Sequence, residues 1–269
     1  MPCPFGKNIL SVKHLTVSVR TQSADRALLK DINFTLGRGE IHGLVGESGC
    51  GKSLFARTLV RLEAPARIVA GTIFMDNTRV SDLSARAFSQ FRGKKISLVL
   101  QHPASAMDPV FTMASQFKDA LSILPKRDQS MARVYQLLKE VGIFSPEQRC
   151  RQYPHEWSRG MLQRAQLVMA LLGNPGIMIL DEVTSALDPT IALQILELIS
   201  RLRQTRNTAF ILITHDIAMA AHVCDTISVM RQGSILETND VKALFNHPRH
   251  TYTKEFISGI SQEASCPTP

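Results

Sequence analysis

Short apolar runs separated by polar and glycine-containing turns dominate the first part of the chain. Between residues 9 and 45 they read ILSVKHLTVSV, INFTL and IHGLV, rich in β-branched residues, and they predict strands from the outset. The last of them, Ile41–Val45, runs into a glycine cluster. Three later runs, Ile96–Leu100, Ile177–Leu180 and Phe210–Thr214, are short, apolar and end at polar residues, as buried strands do. Elsewhere the period changes. Val134, Leu137, Leu138 and Val141 follow i, i+3, i+4, i+7, and so do Ile195, Leu198, Ile199 and Leu202, which predicts two amphipathic helices, the first stopped at Gly142. Residues from about 102 to 172 read as mainly helical, and Ile227–Met230 with Ser234–Leu236 read as a hairpin about Gln232-Gly233. The expected fold is α/β: a mixed sheet with flanking helices, antiparallel N-terminal strands, and a helical subdomain inserted at about 102–172. One domain spans residues 1–269, with a C-terminal tail from about 240.

Chemistry enters where the strands end. Gly46-Glu47-Ser48-Gly49-Cys50-Gly51-Lys52-Ser53 matches G-x-x-x-x-G-K-[ST] directly after a strand and before the helix-compatible run that starts at Leu54. Glycines let the backbone N–H groups converge on phosphate oxygens, and the following helix N-terminus adds a favourable dipole. Nucleotide binding by residues 46–54 is therefore expected, with Lys52 on the β/γ-phosphates and the Ser53 hydroxyl on Mg²⁺. Cys50 is read as a filler position, with an oxidation-sensitive thiol as the alternative. Ile177–Leu180 delivers Asp181 and Glu182 at its end: Asp181 suits Mg²⁺, and Glu182 suits a general base that polarises the attacking water.

These motifs and their order resemble the ATP-binding cassette family over nearly the whole chain. Gln101 closes ISLVL as that family's Q-loop glutamine does, Ser185-Ala186-Leu187-Asp188 is similar to its D-loop, and His215 ends FILIT like its switch histidine. The resemblance implies a P-loop ATPase core in which Gln101 senses Mg²⁺, His215 contacts the γ-phosphate and Asp188 communicates across a dimer. It also implies that Ser158 and Gly160, in the signature segment Trp157-Ser158-Arg159-Gly160-Met161, cap the ATP held by the other subunit of a head-to-tail pair.

Arg159 departs from the family, which has glycine there, and a long side chain can obstruct the approach of backbone N–H groups to phosphate. The expectation is an unequal heterodimer: Lys52 and Glu182 form the competent site, and the site capped by Ser158 is impaired. Two milder departures are Val183 in place of the usual proline and the lack of an aromatic near Val19-Arg20 to stack on adenine. Arg20 offers either a guanidinium plane or a plain surface charge.

Asn246–Thr253 resembles the tail element of dipeptide, oligopeptide and nickel import ATPases. That subfamily implies a peptide or nickel importer, a second ATPase subunit, transmembrane permease subunits, an indirect periplasmic or extracellular binding protein, and a peripheral place at the cytoplasmic face of the membrane. No nickel site is evident among the eight histidines, and His247 and His250 are read as surface or packing residues.

Composition narrows the alternatives. A net charge of +8 motivates a rival reading, a non-transport ATPase of the same family acting on DNA or ribosomes. The basic residues are scattered, without a five-residue block or interleaved aromatics, so no nucleic-acid partner is expected. Cysteines at 3, 50, 150, 224 and 266 form no C-x-x-C pair, which suits a reduced compartment, and MPCPFGKN lacks the layout of a secretory signal.

Overall fold

The computed structural model describes residues 8–21, 24–101, 103–185 and 187–263. The opening MPCPFG, His102, Ala186 of the D-loop-like segment and the last six residues, with Cys3 and Cys266, lie outside the described residues.

In chain order, β1 (Asn8–Arg20), β2 (Asp25–Gly37) and β3 (Ile41–Val45) lead into α1 (Lys52–Leu59). Next come β4 (Arg67–Met75), β5 (Thr78–Arg79), the single turn α2 (Ala85–Phe88) and β6 (Ile96–Val99). Between β6 and β7 (Ile177–Asp181) the regular elements are helical: α3 (Met113–Ser122), α4 (Met131–Glu140), α5 (Pro146–Arg149) and α6 (Arg159–Leu171), with short 3-10 turns. The remainder is α7 (Pro189–Arg206), β8 (Ala209–Thr214), α8 (Ile217–Val223), β9 (Thr226–Arg231), β10 (Ser234–Asp240), α9 (Val241–Asn246) and α10 (Thr251–Glu263). Among the described residues, no helix is long and apolar enough to cross a membrane.

Two sheets result. One has the order β2-β1-β4-β5, antiparallel throughout, and the other β10-β9-β3-β8-β7-β6. In the second sheet β9, β3, β8, β7 and β6 run parallel, and β10 closes one edge antiparallel. The parallel strands are apolar on both faces, and their alternation explains how the sheet divides the core. Ile177, Ile179, Ile211 and Ile213 pack with α1 and the antiparallel sheet. Met178, Leu180, Phe210 and Leu212 pack on the opposite face with residues of α3, α4, α6 and α7, so these helices share one continuous core with the sheet.

The hairpin at Gln232-Gly233 joins β9 to β10 with φ of 48° and 84°, the left-handed pair that a two-residue turn requires. Gly142 ends α4 with φ 80°: its N–H donates to Lys139 O at 3.0 Å, and that of Ile143 donates to Leu138 O at 2.8 Å. Several strand limits differ from the sequence expectation, and β10 runs on to Asp240 past Leu236. β2 begins at Asp25 rather than near Ile32, because its first half is held by pairing with β1. β4 follows no sequence signal, since its burial is confined largely to Ile73 and Met75. β6 ends at Val99, leaving Leu100 in the segment that leads to Gln101.

Candidate functional site

Parallel registry brings the strand ends together. Val45 pairs with Thr214, Asp181 with Ile213 and Val99 with Leu180, so the segments leaving β3, β8, β7 and β6 emerge side by side at one edge. Crevices at the carboxyl ends of such strands are where open α/β sheets bind ligands.

The glycine-rich loop leaves β3 at Gly46, where a Cβ would stand 2.1 Å from the Met230 carbonyl oxygen, so only glycine allows β9 to pass this closely. The loop ends at Gly51 with φ 115°, and α1 starts at Lys52 without a side-chain cap or an acid in its first turn. Its first N–H groups are thus open to an anion. Lys52 is buried at 4% exposure, and its Nζ donates to the carbonyls of Gly46 at 2.7 Å and Glu47 at 2.9 Å, which curls the ammonium over the loop. Glu47, Ser48 and Gly49 are exposed, Ser53 and Leu54 are half-buried, and Cys50 is buried. Burial pushes the Cys50 thiol up despite the Lys52 charge, which favours the filler role over a reactive thiolate.

Ser53 Oγ donates to Asp181 Oδ1 at 3.0 Å. Burial raises the Asp181 pKa, the Ser53 hydrogen bond lowers it, and the Glu182 charge raises it again, with a net upward shift. Among the described residues no group of three or more His, Cys, Asp or Glu could hold a metal. A hydroxyl and one carboxylate side by side are nonetheless the hard oxygen donors a Mg²⁺ ion takes when phosphates and water complete its shell.

Glu182 occupies the left-handed region at φ 49°, an uncommon conformation for a non-glycine residue, and its N–H donates to Ile213 O at 2.9 Å. Its carboxylate accepts from Gln101 Nε2 at 2.5 Å and lies 3.6 Å from His215 Nδ1. Ser185 Oγ donates to the Glu182 carbonyl at 2.7 Å and sits 3.5 Å from Gln101 Nε2. The structure therefore joins Gln101, Glu182, Ser185 and His215 in one cluster. Asp216 caps α8 directly after His215, its side chain accepting from Met219 N at 2.9 Å, which fixes where the histidine leaves β8.

The signature and D-loop-like residues lie elsewhere. Ser158 is the N-cap of α6, accepting from Met161 N at 3.3 Å, and Asp188 is the N-cap of α7, accepting from Thr190 N at 2.9 Å. Both are exposed, as is Arg159 at the first position of α6. Gly160 faces α7, where a Cβ would stand 3.2 Å from Ile191 Cγ2. Among the described residues, no hydrogen bond runs from Ser158, Gly160 or Asp188 to the phosphate loop. Near the proposed adenine position, Val19 packs against the sheet core and Arg20 is exposed.

Two partners of the loop lie outside the nucleotide motifs. Gly233 N donates to Cys50 O at 2.9 Å while Gly233 O accepts from Lys30 N at 2.8 Å, so the tip of the β9–β10 hairpin bridges the loop to β2. Tyr252 of α10 approaches Glu47. The hairpin was visible in the sequence, but its docking behind the loop was not.

Comparison with known proteins bears on the family. The profile of the ABC transporter family matches residues 29–185. The oligopeptide transport ATP-binding protein OppD of Lactococcus lactis strain IL1403 is 37% identical, over 94% of this chain and 75% of its own length. The dipeptide transport ATP-binding protein DppD of Bacillus subtilis strain 168 is 38% identical, over 94% and 77%. Among solved structures, cbiO1 from Clostridium perfringens, described as part of the ABC transporter complex cbiONQ, superposes with a TM-score of 0.77 at 26% identity over 95% of each chain. The motif order, the strand-end geometry and these matches agree: the chain belongs to the ABC transporter family.

Proposed function

We propose that this chain is the ATP-binding and hydrolysing subunit of an importer for peptides, driving a separate membrane permease from the cytoplasmic face. The observation that carries the reading is the strand-end cluster, where Lys52, the Ser53–Asp181 pair and Glu182 with Gln101 and His215 converge. The peptide cargo rests on the names of the relatives, and it is favoured over nickel because the relatives compared are oligopeptide and dipeptide transport proteins.

In this reading the loop N–H groups and Lys52 hold the β- and γ-phosphates. Ser53 and Asp181 would hold Mg²⁺, which would supply neutralisation of the phosphate charge. Glu182 takes a proton from a water whose oxygen forms the new bond to the γ-phosphorus, while the bond to the bridging oxygen of ADP breaks. Gln101 and His215 keep the Glu182 carboxylate aimed, and His215, exposed at its outer side, also reaches the γ-phosphate. Ser158, Gly160 and Asp188 act on the nucleotide of a second ATPase subunit in a head-to-tail pair, and Arg159 makes that second site the weaker one. The helical region 102–172 is read as the subdomain that carries this outward-facing signature.

Co-purification tests the assignment. Recovery with two multispanning permeases and a second ATPase, with ATPase activity stimulated by peptide and binding protein, is the expected result. Recovery with ribosomes or DNA, or stimulation by nickel rather than peptide, would overturn it in the corresponding part.

A further inference from the structure

The tail element that ends at Thr253 has no role in hydrolysis as described above, yet it packs beside the phosphate loop. Tyr252, in the first turn of α10, is 4% exposed, and the Arg231 guanidinium at the end of β9 lies 4.4 Å from its ring centroid. Glu237 of β10 secures the start of the helix, accepting from Arg249 N at 2.9 Å and His250 N at 3.0 Å. His250 Nδ1 in turn accepts from Tyr252 N at 3.1 Å. His250, read from sequence as a surface or packing residue, thus also orders this turn.

The hydroxyl of Tyr252 faces Glu47. Burial first, and then the Glu47 carboxylate beside it, push the phenol up to about 12, so it remains protonated and able to donate. That hydroxyl is buried within reach of Glu47, yet it completes no hydrogen bond of full geometry among the described residues. Buried donors are almost always satisfied, and the group that can satisfy this one belongs to the loop. On its other side, the Glu47 carbonyl is held by Lys52, whose ammonium is also the charge the phosphates attract.

We propose that Tyr252 is a positioning residue for the phosphate loop: its hydroxyl bonds to Glu47 when nucleotide is bound, so that the C-terminal helix helps set the loop geometry that receives the phosphates. This deepens the reading of residues 46–53 as the ATP site and rests on it. Packing alone gives a different result, because Tyr252→Phe keeps the ring and its contact with Arg231 and removes only the hydroxyl.

The test is equilibrium ATP binding and steady-state ATPase on the full chain, for wild type, Y252F, E47A and the double variant, with K52A as a control. Y252F is expected to weaken ATP binding about three- to tenfold, with kcat within about twofold. Its thermal midpoint without nucleotide should be no lower than that of wild type, since an unpaired hydroxyl is lost. In the E47A background the same substitution should have no further effect, whereas E47Q, which keeps an acceptor, should preserve most of the dependence on Tyr252. Wild-type affinity in Y252F, or equal weakening with and without Glu47, would overturn the proposal alone. Failure of wild type and K52A alike to bind ATP would overturn the ATP-site reading and the proposal with it.

Discussion

At the strand ends, each chemically important side chain finds its partner within this chain. Lys52 is held by the loop carbonyls, Ser53 and Asp181 by each other, and Glu182 by Gln101 with His215 nearby. At the starts of α6 and α7 the pattern differs: Ser158 and Asp188 cap their own helices and remain exposed. The first arrangement is preorganised by bonds that folding makes, and the second presents helix N-termini to whatever lies outside the chain. In the proposed head-to-tail pair these two regions are unlike half-sites, each completed by the other subunit.

The sharpest way to break this comparison is Glu182→Gln. On the order of a 10²- to 10⁴-fold loss of ATPase turnover is expected with nucleotide binding retained, because general-base catalysis is removed while the loop stays intact. Full ATPase and transport rates in a complex carrying this variant would place the competent chemistry on the partner's side and reverse the proposed asymmetry.

Asp181→Asn separates function from stability. Burial, and then the Glu182 charge, raise the Asp181 pKa from its ordinary value despite the Ser53 hydrogen bond, so its ionised form opposes folding at neutral pH. ATPase activity should fall by about two orders of magnitude, while the thermal midpoint without nucleotide stays equal or rises. A marked drop in that midpoint would show that Asp181 is chiefly structural.

Arg159→Gly probes the other region. If the long side chain obstructs the α6 N-terminus, ATPase activity in the assembled complex should rise by about threefold to tenfold. No change would show that the helix start already accommodates phosphate with arginine in place.

The smallest expected effect lies in the tail. Burial raises the Glu237 pKa, but the N–H groups of His250 and Arg249 outweigh it and lower it overall. A carboxyl whose folded pKa is lowered stabilises the fold above its unfolded value, about 4.3 for Glu, and that contribution is lost as pH falls through the folded value. Between pH 6 and pH 3 the wild-type thermal midpoint should therefore fall more than that of Glu237→Gln, by about 1 kcal/mol of stability. Parallel pH profiles would remove Glu237 as a charge-dependent anchor of α10.

Much of the candidate catalytic region is legible because its motifs are local in sequence. A glycine loop with Lys52 and Ser53 must follow a strand and open a helix to work, and an apolar run such as Ile177–Leu180 aims the acids that follow it. The amphipathic periods of α4 and α7 were equally readable, since burial of one helix face leaves a 3.6-residue trace. By itself, then, the sequence determined the buried strands, the phosphate loop, the identity of the acids and the family resemblance. Tertiary structure decided the rest. Only strand registry places Gln101 and His215 at Glu182, only the crossing of β9 behind the loop explains why Gly46 must lack a side chain, and only the return of the chain through α10 brings Tyr252 to Glu47. Each is a contact between residues far apart in the chain, chosen by packing and parallel pairing, for which no local pattern of residues has to leave a mark.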